Sequence, residues 1–184
     1  MVVRITFVAH GETSATIRHA FPLDEPLTAR GATSAGRMAA QLHEGHDVST
    51  SSSARCRQTA AAWAVGAHVD RGLDDWDLGR WAGQRLDDVE AAESANVLAW
   101  LTDAGAAPHG GESLSMLGAR VALWLDAKLV ATTQRLVAVT HPAIVRCAVV
   151  QALGAPITAF WRLDVPPLGT VKLSGRAGRW NVTL

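Results

Sequence analysis

Two histidines and an arginine stand where short strand-like runs end. His10 follows VVRITFV and one alanine, His141 follows RLVAVT directly, and Arg55 comes just after DVSTSS, at the start of a helical stretch. In sheets of parallel strands, ligands bind beyond the carboxyl ends, so these three groups, distant in sequence, would converge on one rim. Two imidazoles and a guanidinium suit a phosphoryl group. One imidazole can attack phosphorus while the other groups donate to its equatorial oxygens. Gly11, next to His10, keeps the backbone open there.

The elements that must position these groups follow from hydrophobic periodicity. VVRITFV (2–8) is β-branched and mostly apolar, as expected of a strand covered on both faces. Residues 26–45 read as a helix with Thr28 as N-cap, Gly45 as stop and Ala32, Ala35, Met38, Ala39 and Leu42 as its apolar stripe. The short strand DVSTSS feeds the helical ARCRQTAAAWAV. A helix is expected near 87–102, after which comes the Gly/Pro loop DAGAAPHGG. Leu114, Leu117, Val121, Leu125 and Leu129 recur at threes and fours and predict a helix over 113–131. A buried strand, 135–140, leads into a helix ending near Leu153. TAFWRLDV, GTVKLSG and RWNVTL read as three short tail strands. Strands alternating with helices predict an α/β fold, a three-layer αβα sandwich around a mostly parallel sheet, as one domain over 1–184.

Composition narrows the function. Apolar residues are 48% and charged ones 18%, a globular balance, and seventeen basic side chains cancel seventeen acidic ones. Overall charge therefore favours neither nucleic acid nor an acidic membrane, and leaves a small anionic ligand open, since positive charge could still gather in a cleft. No apolar run approaches the roughly 20 residues of a membrane span, and the opening residues do not read as a signal peptide. Cys56 and Cys147 show neither metal-ligand nor disulfide spacing, which predicts a reducing, cytoplasmic setting. HEGH (43–46) lacks the i, i+4 spacing that would aim two imidazoles at one zinc. His19, His43, His46, His68 and His109 read as surface or loop residues, and most of the seven Trp as core or pocket wall. There is no P-loop, dinucleotide fingerprint or Gly-x-Ser-x-Gly elbow. An exposed tail strand offers an edge through which two copies could pair as a homodimer.

The order of the motifs resembles the histidine phosphatase superfamily, also called phosphoglycerate mutase-like. AHGET (9–13) stands where that family has Arg-His-Gly-Glu-Thr/Ser, and DEPLTARG (24–31) matches Asp-x-Pro-Leu-Thr-x-x-Gly. RCRQTA (55–60), LDDWDLGRWAG (73–83), GES (111–113) and VTHPAIVR (139–146) follow in the family's order. The resemblance implies His10 as nucleophile, Arg55 and His141 as donors to the phosphoryl oxygens, and Gly11 and Thr16 in the phosphate-binding loop. It puts the proton donor at Asp75, with Asp74 and Asp77 as alternatives. A carboxyl that must donate is expected to have a raised pKa.

Two positions depart from that pattern. Ala9 replaces the family's first arginine, and Thr16 stands where an asparagine is usual. Losing one preorganised donor costs about 10²–10³ in rate, so weakened activity is expected unless Arg18, Arg57 or Arg80 substitutes. The implied function is hydrolysis of a small phosphorylated metabolite through a phosphohistidine on His10, with no cofactor or metal. The alternatives are a nearly inactive phosphate-ester-binding regulator and, less favoured for so compact a chain, a phosphoglycerate mutase.

Overall fold

The computed structural model describes residues 2–39, 47–63, 66–131 and 135–183. Six strands form one sheet: β1 (Val3–Ala9), β2 (Asp47–Thr50), β3 (His68–Val69), β4 (Arg135–Thr140), β5 (Thr170–Arg176) and β6 (Arg179–Thr183). Their order is β3-β2-β4-β1-β5-β6. The first four in that order run parallel, whereas β5 and β6 are added antiparallel. The sheet is therefore mixed, parallel where the three groups of interest emerge.

Among the described residues there are six α-helices: α1 (Ser14–Arg18), α2 (Ala29–Ala39), α3 (Ala54–Ala61), α4 (Leu86–Thr102), α5 (Leu114–Val130) and α6 (Pro142–Leu153). Alternation along the central strands separates two apolar layers. Ile5, Phe7, Leu136 and Ala138 join the larger core with α5 and α6. Val8, Val137 and Val139 meet Cys56 and Ala60 of α3 on the other side. The three-layer α/β arrangement read from the sequence is present.

Helix starts follow local chemistry. The Thr28 hydroxyl accepts from Gly31 N at 2.9 Å, Ser53 caps α3 through Cys56 N, and Ser113 caps α5 through Met116 N. The expected stripe of α2 is only partly realised: Ala35 is buried, Ala32 is exposed, and Leu42, Gly45 and HEGH lie outside the described residues. Two short elements, α1 and β3, are too brief to leave a periodic signal in the sequence.

TAFWRLDV is not a strand. Ile157–Arg162 forms a 3₁₀ helix behind Pro156. A strand would send Phe160 and Trp161 to opposite faces, but here both rings meet Trp76, at centroid distances of 5.5 and 6.0 Å. Trp76 also meets Trp100 at 5.3 Å, and Trp100 meets Trp161 at 4.7 Å. Such pairs contribute roughly 0.5–1.5 kcal/mol each beyond their burial. His109 is a loop residue, but a buried one: it packs against Trp76 and Trp81, its Nδ1 accepting from Gly111 N. No helix among the described residues is long and apolar enough to cross a membrane.

Candidate active site

Strand register brings the two histidines together. β1 and β4 are parallel neighbours with Ala9 opposite Thr140, so the next residues, His10 and His141, leave the sheet side by side. His10 N donates to Thr140 O at 2.9 Å, and Leu168 N donates to His10 O at 3.2 Å. Both faces of the His10 backbone are thereby held. The imidazoles lie edge to face with centroids 5.3 Å apart. β2 pairs with β4 on its other side, and the helix after β2 carries Arg55 in its first turn.

The glycine after His10 has a packing reason. α2 crosses the loop so closely that a Cβ on Gly31 would stand 2.3 Å from Glu12 O, and one on Gly11 would meet Gly31 O at 3.1 Å. Gly11 N donates to Thr59 Oγ1, whose own proton goes to Arg55 O. One threonine thus ties the loop carrying His10 to the helix carrying Arg55. The DEPLT segment works in the same way: Asp24 accepts from Ala54 N at 2.7 Å, and Thr28 donates to the Glu12 carboxylate at 2.8 Å.

His10 has a defined tautomer. Its Nδ1 lies 2.8 Å from Gly11 O, which can only accept, so Nδ1 carries the proton and Nε2 presents a lone pair. Burial, then the charge on His141, pushes its pKa down to about 4. The ring is neutral at neutral pH.

His141 is in the opposite state. Its Nδ1 is 3.1 Å from Asp75 Oδ2, and its Nε2 is 2.9 Å from Ser51 Oγ. Ser51 has one proton and gives it to Asp74 Oδ1 at 2.9 Å, so its oxygen must accept from Nε2–H. Both ring nitrogens are donors, which makes the ring an imidazolium. Burial opposes that charge, but Asp75 and then Cys56, its Sγ 3.5 Å from Nε2, raise the pKa to about 9.

Arg55 is buried. Its guanidinium donates to Leu23 O and, at 2.7 Å, to Asp75 Oδ2; Glu25 Oε1 lies 3.9 Å away, and Nε has no partner. Asp75 therefore bridges Arg55 and His141 through one oxygen. Its pKa runs contrary to the expected rise. Burial does act upward, but the His141 charge and hydrogen bond, with Arg55, hold the carboxyl well below the usual range. The neighbouring acids do not push it up because they face elsewhere. Asp74 accepts from Ser51 and Ser52 N, and Asp77 accepts from Gly79 N. Of the three aspartates, Asp75 is the one in contact with Arg55 and His141.

Of the two positions that depart from the family pattern, Thr16 lines the cavity beside His10 and Ala9 ends β1. The Thr16 hydroxyl donates to Thr13 O and accepts from Thr13 N, closing a capping box on α1. To donate to a ligand it would have to give up that bond. Ala9 is fully buried at the end of β1. None of Arg18, Arg57 and Arg80 lines the cavity beside His10. Arg18 bonds Ser14 O, Arg57 is exposed, and Arg80 pairs with Glu93 and Pro108 O.

The cation that does line this cavity of about 210 Å³ is Arg146. It went unread because its motif, VTHPAIVR, drew attention to its histidine. The signal was the i, i+4 spacing from Pro142 to Arg146, which puts both on one face of the helix that begins beside His141. Ser51 was also missed, hidden in a serine-rich run without periodicity. Among the described residues, no cluster of three or more His, Cys, Asp or Glu could hold a metal ion. The arrangement sets a neutral imidazole nucleophile and the Asp75 carboxyl on the wall of one small cleft, with two cationic donors, Arg55 and His141, buried directly behind Asp75.

The family model described as the histidine phosphatase superfamily (branch 1) matches residues 5–184. A glucosyl-3-phosphoglycerate phosphatase from Mycolicibacterium vanbaalenii is 29% identical over 172 residues, spanning 85% of this chain and 76% of that protein. The solved mycobacterial glucosyl-3-phosphoglycerate phosphatase in complex with VO3 is 27% identical, with a TM-score of 0.87 over 99% of this chain and 98% of that one. An alpha-ribazole phosphatase from Shigella flexneri shares the fold, with a TM-score of 0.87 at 22% identity over 99% of this chain and 95% of its own.

Proposed function

The chain belongs to the histidine phosphatase superfamily, branch 1, and from that premise we propose that it hydrolyses a small phosphomonoester through a phosphoryl group held transiently on His10. The observation that carries this reading is the pairing of opposite protonation states 5.3 Å apart: a neutral His10 with a free Nε2 lone pair beside a cationic His141. Nucleophile and electrophilic donor are thus preset before substrate arrives.

In the free protein Asp75 occupies the donors of Arg55 and His141. An arriving phosphoryl group competes for the same donors, with the unpartnered Arg55 Nε as a further one. Displaced from its counter-charges and set beside an anion, the Asp75 carboxylate takes the proton of the monoanionic ester. His10 Nε2 then attacks phosphorus, the bond to the leaving oxygen breaks, and that oxygen takes the Asp75 proton with its electron pair. In the second half, Asp75 removes a proton from water. The hydroxide oxygen attacks phosphorus, and the P–N electron pair returns to Nε2. Ala9 brings no charge to the phosphoryl group, so turnover is weakened, while His10 with the donors of Arg55 and His141 retains it. Chelators leave the activity unchanged.

The direct test is hydrolysis of para-nitrophenyl phosphate across pH 4–8 by the wild type and His10→Ala. Loss of about 10³-fold or more in the variant supports the reading. Equal background in both proteins contradicts it and favours a second reading, a phosphate-ester binder, which the closed Asp75–Arg55–His141 triangle would also suit.

A further inference from the structure

Arg146 is the least satisfied charge in the cavity that holds His10. Its Nε is buried without a partner, and its nearest carboxylate, Asp164 on the exposed surface, lies 3.9 Å away, beyond hydrogen-bonding reach. The guanidinium sits over the Phe160 ring, 5.4 Å from its centroid. Burial lowers its pKa, and Asp164 partly offsets this. Arg146 stands five residues after His141 along α6, about 7.5 Å at the helical rise, so it lines the cleft away from the phosphoryl donors.

Between the two ends the walls are aromatic. Trp76, Trp100, Phe160 and Trp161 all line the cavity, and neighbouring rings in this group lie 4.7–6.0 Å apart. A hydroxyl directed at the face of one of these rings would lack a strong partner, at a cost. A flat apolar body carries no such cost. A lone guanidinium in apolar surroundings balances one negative charge and presents a planar fork that a carboxylate fills bidentately. A second phosphate would bring more charge than one cation offsets. The volume of about 210 Å³ falls below the roughly 300–1,000 Å³ of drug-sized sites, which limits the leaving group to about one ring and its acid.

Building on the phosphatase reading, we propose that the substrate is a phosphomonoester whose alcohol carries an aromatic or similarly flat apolar body ending in a carboxylate, with the carboxylate paired to Arg146 and the ring held among Trp76, Trp100 and Trp161.

The test compares 4-carboxybenzyl, benzyl and ethyl phosphate, whose leaving alcohols are of similar basicity. The expected order of kcat/KM is that order, with the carboxylate alone contributing about 10- to 100-fold. In Arg146→Met the carboxybenzyl-to-benzyl ratio falls to near one, and Arg146→Lys restores part of it. Because the ratio is taken within one protein, a partly unfolded variant does not distort it. A ratio near one in the wild type overturns the carboxylate assignment, and ethyl phosphate equal to benzyl phosphate overturns the aromatic one. Should the wild type hydrolyse none of the three, the phosphatase reading fails by itself. The same ratios are then read from calorimetric dissociation constants, where equal affinities overturn the inference and a carboxybenzyl preference lost in Arg146→Met upholds it.

Discussion

The two ends of the cleft satisfy their charges in contrasting ways. At the phosphoryl end every charged group has an internal partner: Asp75 holds Arg55 and His141, and His141 is held again by Ser51 and Asp74. At the aromatic end Arg146 shares an orphaned Nε with Arg55 but, among the described residues, has no carboxylate within hydrogen-bonding distance. Internal pairing preorganises the first end but obliges a ligand to compete for donors already in use. The second end lacks such a competitor, so a ligand gains there without displacing anything. In this chain, chemistry and selectivity would therefore rest on different electrostatics, rigid neutralisation at one end and unmet charge at the other.

Asp75→Asn breaks the contrast most sharply. The variant frees Arg55 and His141 but removes the proton donor. Hydrolysis of alkyl phosphates, whose leaving oxygens need a proton, is expected to fall about 10²–10⁴-fold. Para-nitrophenyl phosphate, which leaves as a stable anion, should lose far less. Equal losses on both substrates would remove Asp75 from the proton-transfer role.

A smaller effect isolates the Asp74–Ser51–His141 chain. Ser51→Ala leaves His141 Nε2 with only Ser53 Oγ and Cys56 Sγ, each at 3.5 Å. Nε2 of the charged ring loses its shortest contact, so the alkaline limb of kcat/KM should move down from about 9. Unlike Asp75→Asn, this variant should not discriminate between leaving groups. An unmoved limb would mean that Ser51 does not hold the charge state of His141.

The smallest effect is on stability. The pKa of His141 is raised from 6.5 to about 9, so its contribution is complete below 6.5 and lost as pH rises through 9. That of His10 is lowered from 6.5 to about 4, so its contribution is present above 6.5 and lost as pH falls through 4. For this pair Tm should peak near pH 6.5, and His10→Ala should flatten the acid side. A Tm that climbs steadily from 6.5 to 9 would contradict the assignment of His141 as a cation.

The sequence made the phosphoryl end legible and left the aromatic end largely dark. His10 and His141 could be read because each ends a buried strand, and adjacent parallel strands deliver their next residues to one rim. Arg55 could be read for the same reason, one helix start later. The bridging state of Asp75 could not. Acidic neighbours in sequence suggested mutual repulsion, whereas tertiary folding turned Asp74 and Asp77 toward backbone and serine donors. Phe160 and Trp161 read as strand because aromatic residues favour strands. Pro156 and the pull of Trp76 on both rings decided otherwise. Arg146 needed the third dimension, since only the packing of α6 against the aromatic turn exposes its missing partner.

The central claim, that a neutral His10 takes up phosphorus beside a cationic His141, is tested most directly by rapid acid-free quenching during turnover of a labelled aryl phosphate, followed by peptide mapping. The account predicts an acid-labile, base-stable phosphoryl group on His10 Nε2 that is absent from His10→Ala. Full hydrolysis with no labelled histidine at any quench time, or label on another residue, would contradict it.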